Sequence, residues 1–186
     1  MLKIIVFDYG GVLVRERDIK LTQKEDMLER FFGKNYSDEK YVNMVKKIEP
    51  ERSKVLKIAE EIINKLYEIK DEDLFAKIKR QYPNVTICIA TNHISYIEKH
   101  IRNTMDMQYI DKIFVSAIMH KTKPHLNYYR EIIQHYHLKP EEFLFIDDNQ
   151  ENVEGAIRSG MHAIKIEKKE DVYQRVIKVL NEQKNK

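Results

Sequence analysis

Asp8, Thr91, Lys123, Asp147 and Asp148 have side chains that could do chemistry on an anion, and each has a use in moving a phosphoryl group. A carboxylate can be the nucleophile, a hydroxyl and backbone N–H groups can hold the equatorial oxygens, and a lysine can neutralise developing charge. Two further carboxylates beside the nucleophile would repel it unless a divalent cation with oxygen ligands sat among them, and Mg2+ is the natural occupant. Gly10 and Gly11 follow Asp8 side by side in a chain with only five glycines. Such a backbone can curl its N–H groups round an anion.

These residues need elements that bring them together. Ile4 to Phe7 is an apolar run without alternation, which reads as a strand covered on both faces, so Asp8 stands where the strand leaves the core. Val85 to Ala90 leads in the same way to Thr91-Asn92-His93. Lys112 to Ser116 leads to a loop with Lys121, Lys123 and Pro124, and Phe143 to Ile146 leads to Asp147-Asp148. Ala163 to Ile166 makes a fifth strand. Between them, Ile94, Ile97 and Ile101, then Tyr128, Tyr129, Ile132, Ile133 and Tyr136, mark helices, followed by one closed at Gly160 and a last one with Val172, Val176, Ile177 and Leu180. This alternation predicts an α/β fold: a three-layer, Rossmann-like parallel sheet whose strand C-termini share one edge, where ligands bind.

One stretch interrupts the alternation. After Val14 and the charged run Arg15 to Asp18, Thr22 and Glu25 form a capping box for a helix reaching about Phe32, with Gly33 as its stop. Ser37 starts a second helix with Tyr41, Val42 and Val45 on one face. Val55, Ile58, Ala59, Ile62, Ile63, Leu66 and Ile69 predict a third helix of some five turns, and Asp71 caps a shorter one with Leu74, Phe75 and Ile78. Residues 20–80 are therefore expected to be wholly helical, a small cap inserted into a core of residues 1–19 and 81–186. Such caps exclude water and select substrates.

Composition narrows the partners. Lys+Arg 33 against Asp+Glu 30 leaves a formal net charge of +3, a balance that predicts neither a nucleic-acid nor a membrane partner. No run approaches the roughly 18 apolar residues of a membrane span, and the first residues enter a strand without a signal-peptide pattern, so a cytoplasmic location is expected. Cys88, the single cysteine, lies inside an apolar strand and reads as a buried structural thiol.

The order Phe-Asp-x-Gly-Gly-Val, Thr-Asn, Lys-Pro and Phe-Ile-Asp-Asp-Asn-x-x-Asn-Val-x-Gly-Ala resembles the haloacid dehalogenase superfamily over nearly the whole chain. Asp8-Tyr9-Gly10-Gly11 and Asp147-Asp148-Asn149 look most like its bacterial glucose-1-phosphate phosphatases and the phosphatase domain of soluble epoxide hydrolases. The resemblance implies that Asp8 accepts the phosphoryl group and that Thr91 and Lys123 bind it, with Tyr9, Gly10 and Asn92 beside it. It implies Mg2+ on Asp8, the Gly10 carbonyl and Asp148, with Asp147 acting directly or through water. The expected activity is a Mg2+-dependent phosphatase for a small phosphorylated metabolite. A non-catalytic phosphate- or partner-binding module is the alternative, and carbon–halogen hydrolysis is a weaker one, because it leaves Asp147-Asp148 unexplained.

One departure stands out. Most phosphatases of that superfamily carry a second Asp two residues after the nucleophile to protonate the leaving group, and here that position is Gly10. His93 or a cap residue could supply the proton instead. On its own, however, His93 reads as a solvated first-turn residue. His135 and His137 read as surface, Arg15 and Arg17 as a solvated charge run, and the Tyr9 ring as packing. Lys121 competes with Lys123, and Pro124 favours Lys123 by resemblance only.

Overall fold

The structure, a computed structural model, describes residues 1–34 and 37–184. Five parallel strands form the main sheet in the order β5-β4-β1-β6-β7, namely Ile110–Val115, Thr86–Thr91, Ile4–Phe7, Phe143–Asp147 and His162–Lys165. The chain moves outward from β1 in one direction through β4 and β5 and in the other through β6 and β7. The crevice at that reversal lies at the C-terminal ends of β1, β4 and β6.

The apolar strands are buried on both faces, and their residues divide by alternation. Ile5, Phe7, Ile87, Ile89, Leu144 and Ile146 enter one core, while Ile4, Val6, Cys88, Ala90, Phe143 and Phe145 enter the other. The first core is covered by helices α4 (Leu74–Gln81), α5 (Tyr96–Thr104) and α9 (Val172–Lys184), through residues such as Phe75, Ile97, Ile101 and Val176. The second is covered by α7 (Leu126–Tyr136) and α8 (Gln150–Arg158), through Tyr128, Tyr129, Ile132 and Ala156. A short α6 (Ser116–Met119) follows β5. The expected three-layer α/β architecture is present, and Cys88 is fully buried in it.

The interrupting stretch is helical with one exception. Helices α1 (Gln23–Glu29), α2 (Asp38–Val45) and α3 (Arg52–Leu66) form, the first with the Thr22–Glu25 capping box and the second capped by Ser37. The first helix ends at Glu29, and Phe32–Lys34 is a separate 3-10 turn. The third stops at Leu66 instead of running to Ile69. Tyr67–Ile69 is strand β3, antiparallel to β2 (Val14–Glu16), with Val14 opposite Ile69 and Glu16 opposite Tyr67. The spacing of Leu66 and Ile69 fits a helix, but an aromatic and a β-branched residue alternating with Glu68 also fit a strand, and the partner strand decided it. Nor is Val14–Glu16 a charged loop: Val14 is fully buried and Arg15 pairs with Glu68 at 2.8 Å across the ladder. Asp71 does not cap α4, whose N-cap is Asp73; its carboxylate accepts from the Asp73 N–H at 3.1 Å and pairs with Lys77. No helix among the described residues is long and apolar enough to cross a membrane.

Candidate active site

The sheet edge gathers the predicted residues around a buried lysine. Lys123 sits in the loop before α7, its side chain 1% exposed, and its ammonium donates to Asp8 Oδ1 at 2.9 Å, Asp147 Oδ2 at 2.7 Å and the Ala90 carbonyl at 3.0 Å. A buried cation without partners would be expelled, and here two carboxylates and a carbonyl use all three ammonium protons. Burial pulls the Lys123 pKa down, but Asp147 and Asp8 outweigh it and the net shift is upward. Lys121, the competing lysine, instead pairs with Glu131.

Two backbone devices fix that loop. The Asn92 side chain donates to the Lys123 carbonyl and accepts from the Lys123 N–H, both at 3.0 Å, so Asn92 offers the crevice its main chain rather than its amide. Behind it, a Cβ on Gly155 would come within 2.7 Å of the Pro124 carbonyl oxygen and 2.8 Å of the Tyr129 ring, so only glycine lets α8 approach the loop this closely.

Asp147, fully buried, accepts from the Asn149 N–H at 2.9 Å and from Asn152 Nδ2 at 3.1 and 3.2 Å as well as from Lys123. This saturated carboxylate anchors the lysine. Asp8 Oδ1 accepts from Lys123 and from the Tyr9 N–H at 2.7 Å, while the Tyr9 ring lies buried edge-on to Tyr67, as expected of a packing residue. Burial and the neighbouring Asp147 push the Asp8 carboxyl up to about 7 despite Lys123. Burial and Asp147 raise Asp148 too.

Asp8, Asp147 and Asp148 each place a carboxylate oxygen within 4.8 Å of the others. Three carboxylates against one buried ammonium leave an excess of negative charge, and an all-oxygen set of this size suits a hard divalent cation. Gly11 makes the cluster possible: at φ +73° it turns the loop back, and a Cβ there would lie 2.0 Å from Asp148 Oδ2. Gly10 differs, because its φ is not in the left-handed region and a Cβ there would meet nothing within 4 Å.

Above the carboxylates lies a cavity of about 190 Å³. The sheet edge lines it with Asp8, Gly10, Thr91 and Lys123, and the inserted stretch with Glu29, Phe32, Gly33 and Tyr67. His93 also lines it, but is only 4% exposed rather than solvated. Its main chain bonds Ser116, and its ring meets the Ile94 carbonyl at 3.3 Å and the Tyr67 hydroxyl at 3.1 Å, which together take up both nitrogens. His135 and His137 are exposed, as are Arg15 and Arg17. The cavity-lining Glu29, Phe32 and Tyr67 carry no local signature in the sequence. Asn152, by contrast, stood in the quoted motif.

A family description, "Haloacid dehalogenase-like hydrolase", matches residues 5–166. The chain belongs to the haloacid dehalogenase-like hydrolases. Solved structures of similar fold include a predicted hydrolase of this family from Porphyromonas gingivalis, 21% identical with a TM-score of 0.71 over 97% of this chain and 98% of that one. A family enzyme from Bacteroides thetaiotaomicron in complex with magnesium and inorganic phosphate is 16% identical, TM-score 0.71, over 92% and 97%. A 2-haloacid dehalogenase from Pseudomonas syringae is 13% identical, TM-score 0.70, over 98% and 100%. Among curated proteins, drimenol cyclase from Aspergillus calidoustus is 31% identical over 74 residues, which are 40% of this chain and 14% of the cyclase. The fold of a haloacid dehalogenase-like hydrolase thus accounts for the sheet.

The buried imidazole gives this hydrolase a measurable pH response. Burial pushes His93 down to about 3 from an ordinary 6.5. The unfolded chain therefore binds a proton that the folded one refuses as pH falls below 6.5, and stability from this group is lost on acidification. By linkage, about 2 kcal/mol should go between pH 7.5 and pH 5. Denaturant unfolding of wild type and His93→Gln at both pH values should show the wild-type advantage shrinking by that amount; an unchanged difference would contradict the buried neutral state.

Proposed function

We propose that the protein is a Mg2+-dependent phosphatase of small phosphate monoesters that works through a phosphoryl group carried on Asp8. The observation that carries this reading is the Asp8–Lys123–Asp147 cluster with Asp148 within ligand distance: a nucleophile, a cation for the phosphate and an oxygen set for a metal, in one crevice. Carbon–halogen hydrolysis would leave Asp148, which anchors no side chain of the site, without a task.

Asp8 and Asp148, with the Gly10 carbonyl, would hold Mg2+, and Asp147, already saturated by Lys123, Asn149 and Asn152, would act through water. Mg2+ held there would offset charge between the carboxylates and the substrate phosphate and so favour the ionised form of Asp8. Lys123 attracts the phosphate by its charge, its three protons being taken by Asp8, Asp147 and Ala90, Thr91 closes one side, and Asp8 Oδ2, the oxygen not engaged by Lys123 or Tyr9, attacks phosphorus. Residues 20–80 act as the cap. A cavity of about 190 Å³ is smaller than the roughly 300 Å³ and more of drug-sized sites, so it selects a small substrate or admits only the phosphoryl end of a larger one.

Assaying phosphorylated metabolites with and without Mg2+ tests the reading, and turnover of none of them would overturn it. Metal ligation has its own test. Asp148→Ala is expected to weaken Mg2+ binding at least tenfold in calorimetry, about 1.4 kcal/mol, and equal affinities would remove Asp148 from the ligand set.

A further inference from the structure

Most phosphatases of the superfamily that the motifs resemble carry a proton donor at the position of Gly10, so here a leaving group that needs a proton takes it from elsewhere. The cavity lining limits the choice. Besides the groups already committed to phosphate and metal, its proton-bearing side chains are Tyr9, Glu29, Tyr67, His93, Asn92 and Asn152. Tyr9 is a core residue whose ring packs against Tyr67 and His100 and whose hydroxyl is buried beside Thr104 of α5. Asn92 is spent on the Lys123 backbone and Asn152 on Asp147. With the His93 Nδ1–H donated to the Ile94 carbonyl, Nε2 accepts from the Tyr67 hydroxyl, so each of these two gives its proton to the protein.

Glu29 is left, and its location suits the task. An oxygen displaced in line with the attack by Asp8 departs on the side away from Asp8, and the cavity that Asp8 lines is also lined by residues of α1 and β3. Glu29 is the carboxyl they supply. We infer that Glu29 is the general acid and base of this phosphatase, a cap residue that replaces the carboxylate missing at Gly10. The inference rests on the reading of the site as a phosphatase.

The surroundings of Glu29 support it. It is half-buried at the last position of α1, where the helix dipole disfavours a negative charge. Burial raises its pKa, Glu16 on β2 and Asp26 on α1 raise it further, and Arg30 and Lys34 pull it down by less. Tyr41 of α2 and Tyr67 of β3 also lie within its field. A carboxyl so placed keeps its proton closer to neutrality than an exposed one.

The balance of the two steps is as follows. Asp8 Oδ2 forms a bond to phosphorus while the bond to the ester oxygen breaks. The electron pair goes to that oxygen, which takes the proton of Glu29 and leaves as an alcohol. Glu29, now a carboxylate, takes a proton from water as the water oxygen bonds to phosphorus and the bond to Asp8 breaks. Inorganic phosphate, free Asp8 and protonated Glu29 result.

The experiment compares kcat/KM for p-nitrophenyl phosphate and for an alkyl phosphate in wild type, Glu29→Gln and Glu29→Gln/Gly10→Asp. An aryl leaving group needs little protonation and an alkoxide much, so Glu29→Gln should lose about 10²- to 10⁴-fold on the alkyl substrate and less than roughly tenfold on the aryl one. The alkyl profile should also lose the limb at high pH that reports deprotonation of the acid. Because Gly10 has room for a side chain and an ordinary φ, Gly10→Asp should restore alkyl turnover in the double variant. Residual aryl activity shows that the single variant is folded. An active wild type whose alkyl-to-aryl ratio is unchanged in Glu29→Gln overturns the assignment of Glu29 alone, as does an equal loss on both substrates. A wild type inactive on both substrates, in the presence of Mg2+, overturns the phosphatase reading and this inference with it.

Discussion

Asp8→Asn should abolish hydrolysis while making the metal-free protein more stable. The amide is isosteric but cannot accept a phosphoryl group, and loss of a nucleophile of this kind costs on the order of 10⁴-fold or more in kcat. The gain in stability follows from the raised carboxyl. Its folded pKa of about 7 lies above the unfolded 3.8, so between these values the folded chain binds more protons and stability falls as pH rises. At pH 8 that cost is fully present, and the neutral amide removes it. The expected gain is roughly 1–4 kcal/mol without Mg2+, and it should vanish below about pH 4. Adding Mg2+ should close the gap, because the ion stabilises only the chain it binds tightly. Thermal melting at pH 8 and pH 4 with and without Mg2+ reads these differences. A variant less stable than wild type at pH 8 without metal would show that Asp8 is not held at an electrostatic cost.

Much of this was legible in the chain. Ile4 to Phe7 and Phe143 to Ile146 are apolar without interruption, a pattern only a doubly covered strand explains, and each ends in the carboxylate that the sheet brings to the crevice. Thr91 followed from the same logic, whereas Lys123 was preferred to Lys121 only through the resemblance carried by Lys123-Pro124. Two kinds of fact were not legible. β3 depends on a partner strand more than fifty residues away, and helical spacing at Leu66 and Ile69 outweighed the strand signal locally. His93 sits in the first turn after a strand, where exposure is usual, and only the packing of Phe32 and Tyr67 around it, with ring centroids at 5.0 and 6.0 Å, makes it a core residue. The residues that the inserted stretch turns toward the cavity belong to this second kind, since tertiary packing alone selects them.

The second large effect concerns Lys123. Replacing it by Met keeps the length of the side chain and removes the charge, leaving Asp8 and the wholly buried Asp147 without their cation. Breaking a buried pair in this way costs about 3–5 kcal/mol, which for a chain of this size lowers the melting temperature by roughly 6–20 °C. Lys123→Met/Asp147→Asn should recover part of the loss, because one of the two stranded charges goes with it. Activity should be lost in both, since the phosphate then meets no ammonium. A Lys123→Met protein that melts with wild type would contradict the account of the lysine as the element that holds the site together.

The proposed mechanism stands on Asp8 carrying the phosphoryl group. The most direct measurement is acid quenching of the protein during turnover of p-nitrophenyl phosphate with Mg2+, followed by peptide mass spectrometry. One phosphoryl group is expected on the peptide containing Asp8, labile to hydroxylamine and absent from Asp8→Asn. Turnover with no label on that peptide, or a label that persists in Asp8→Asn, would contradict it.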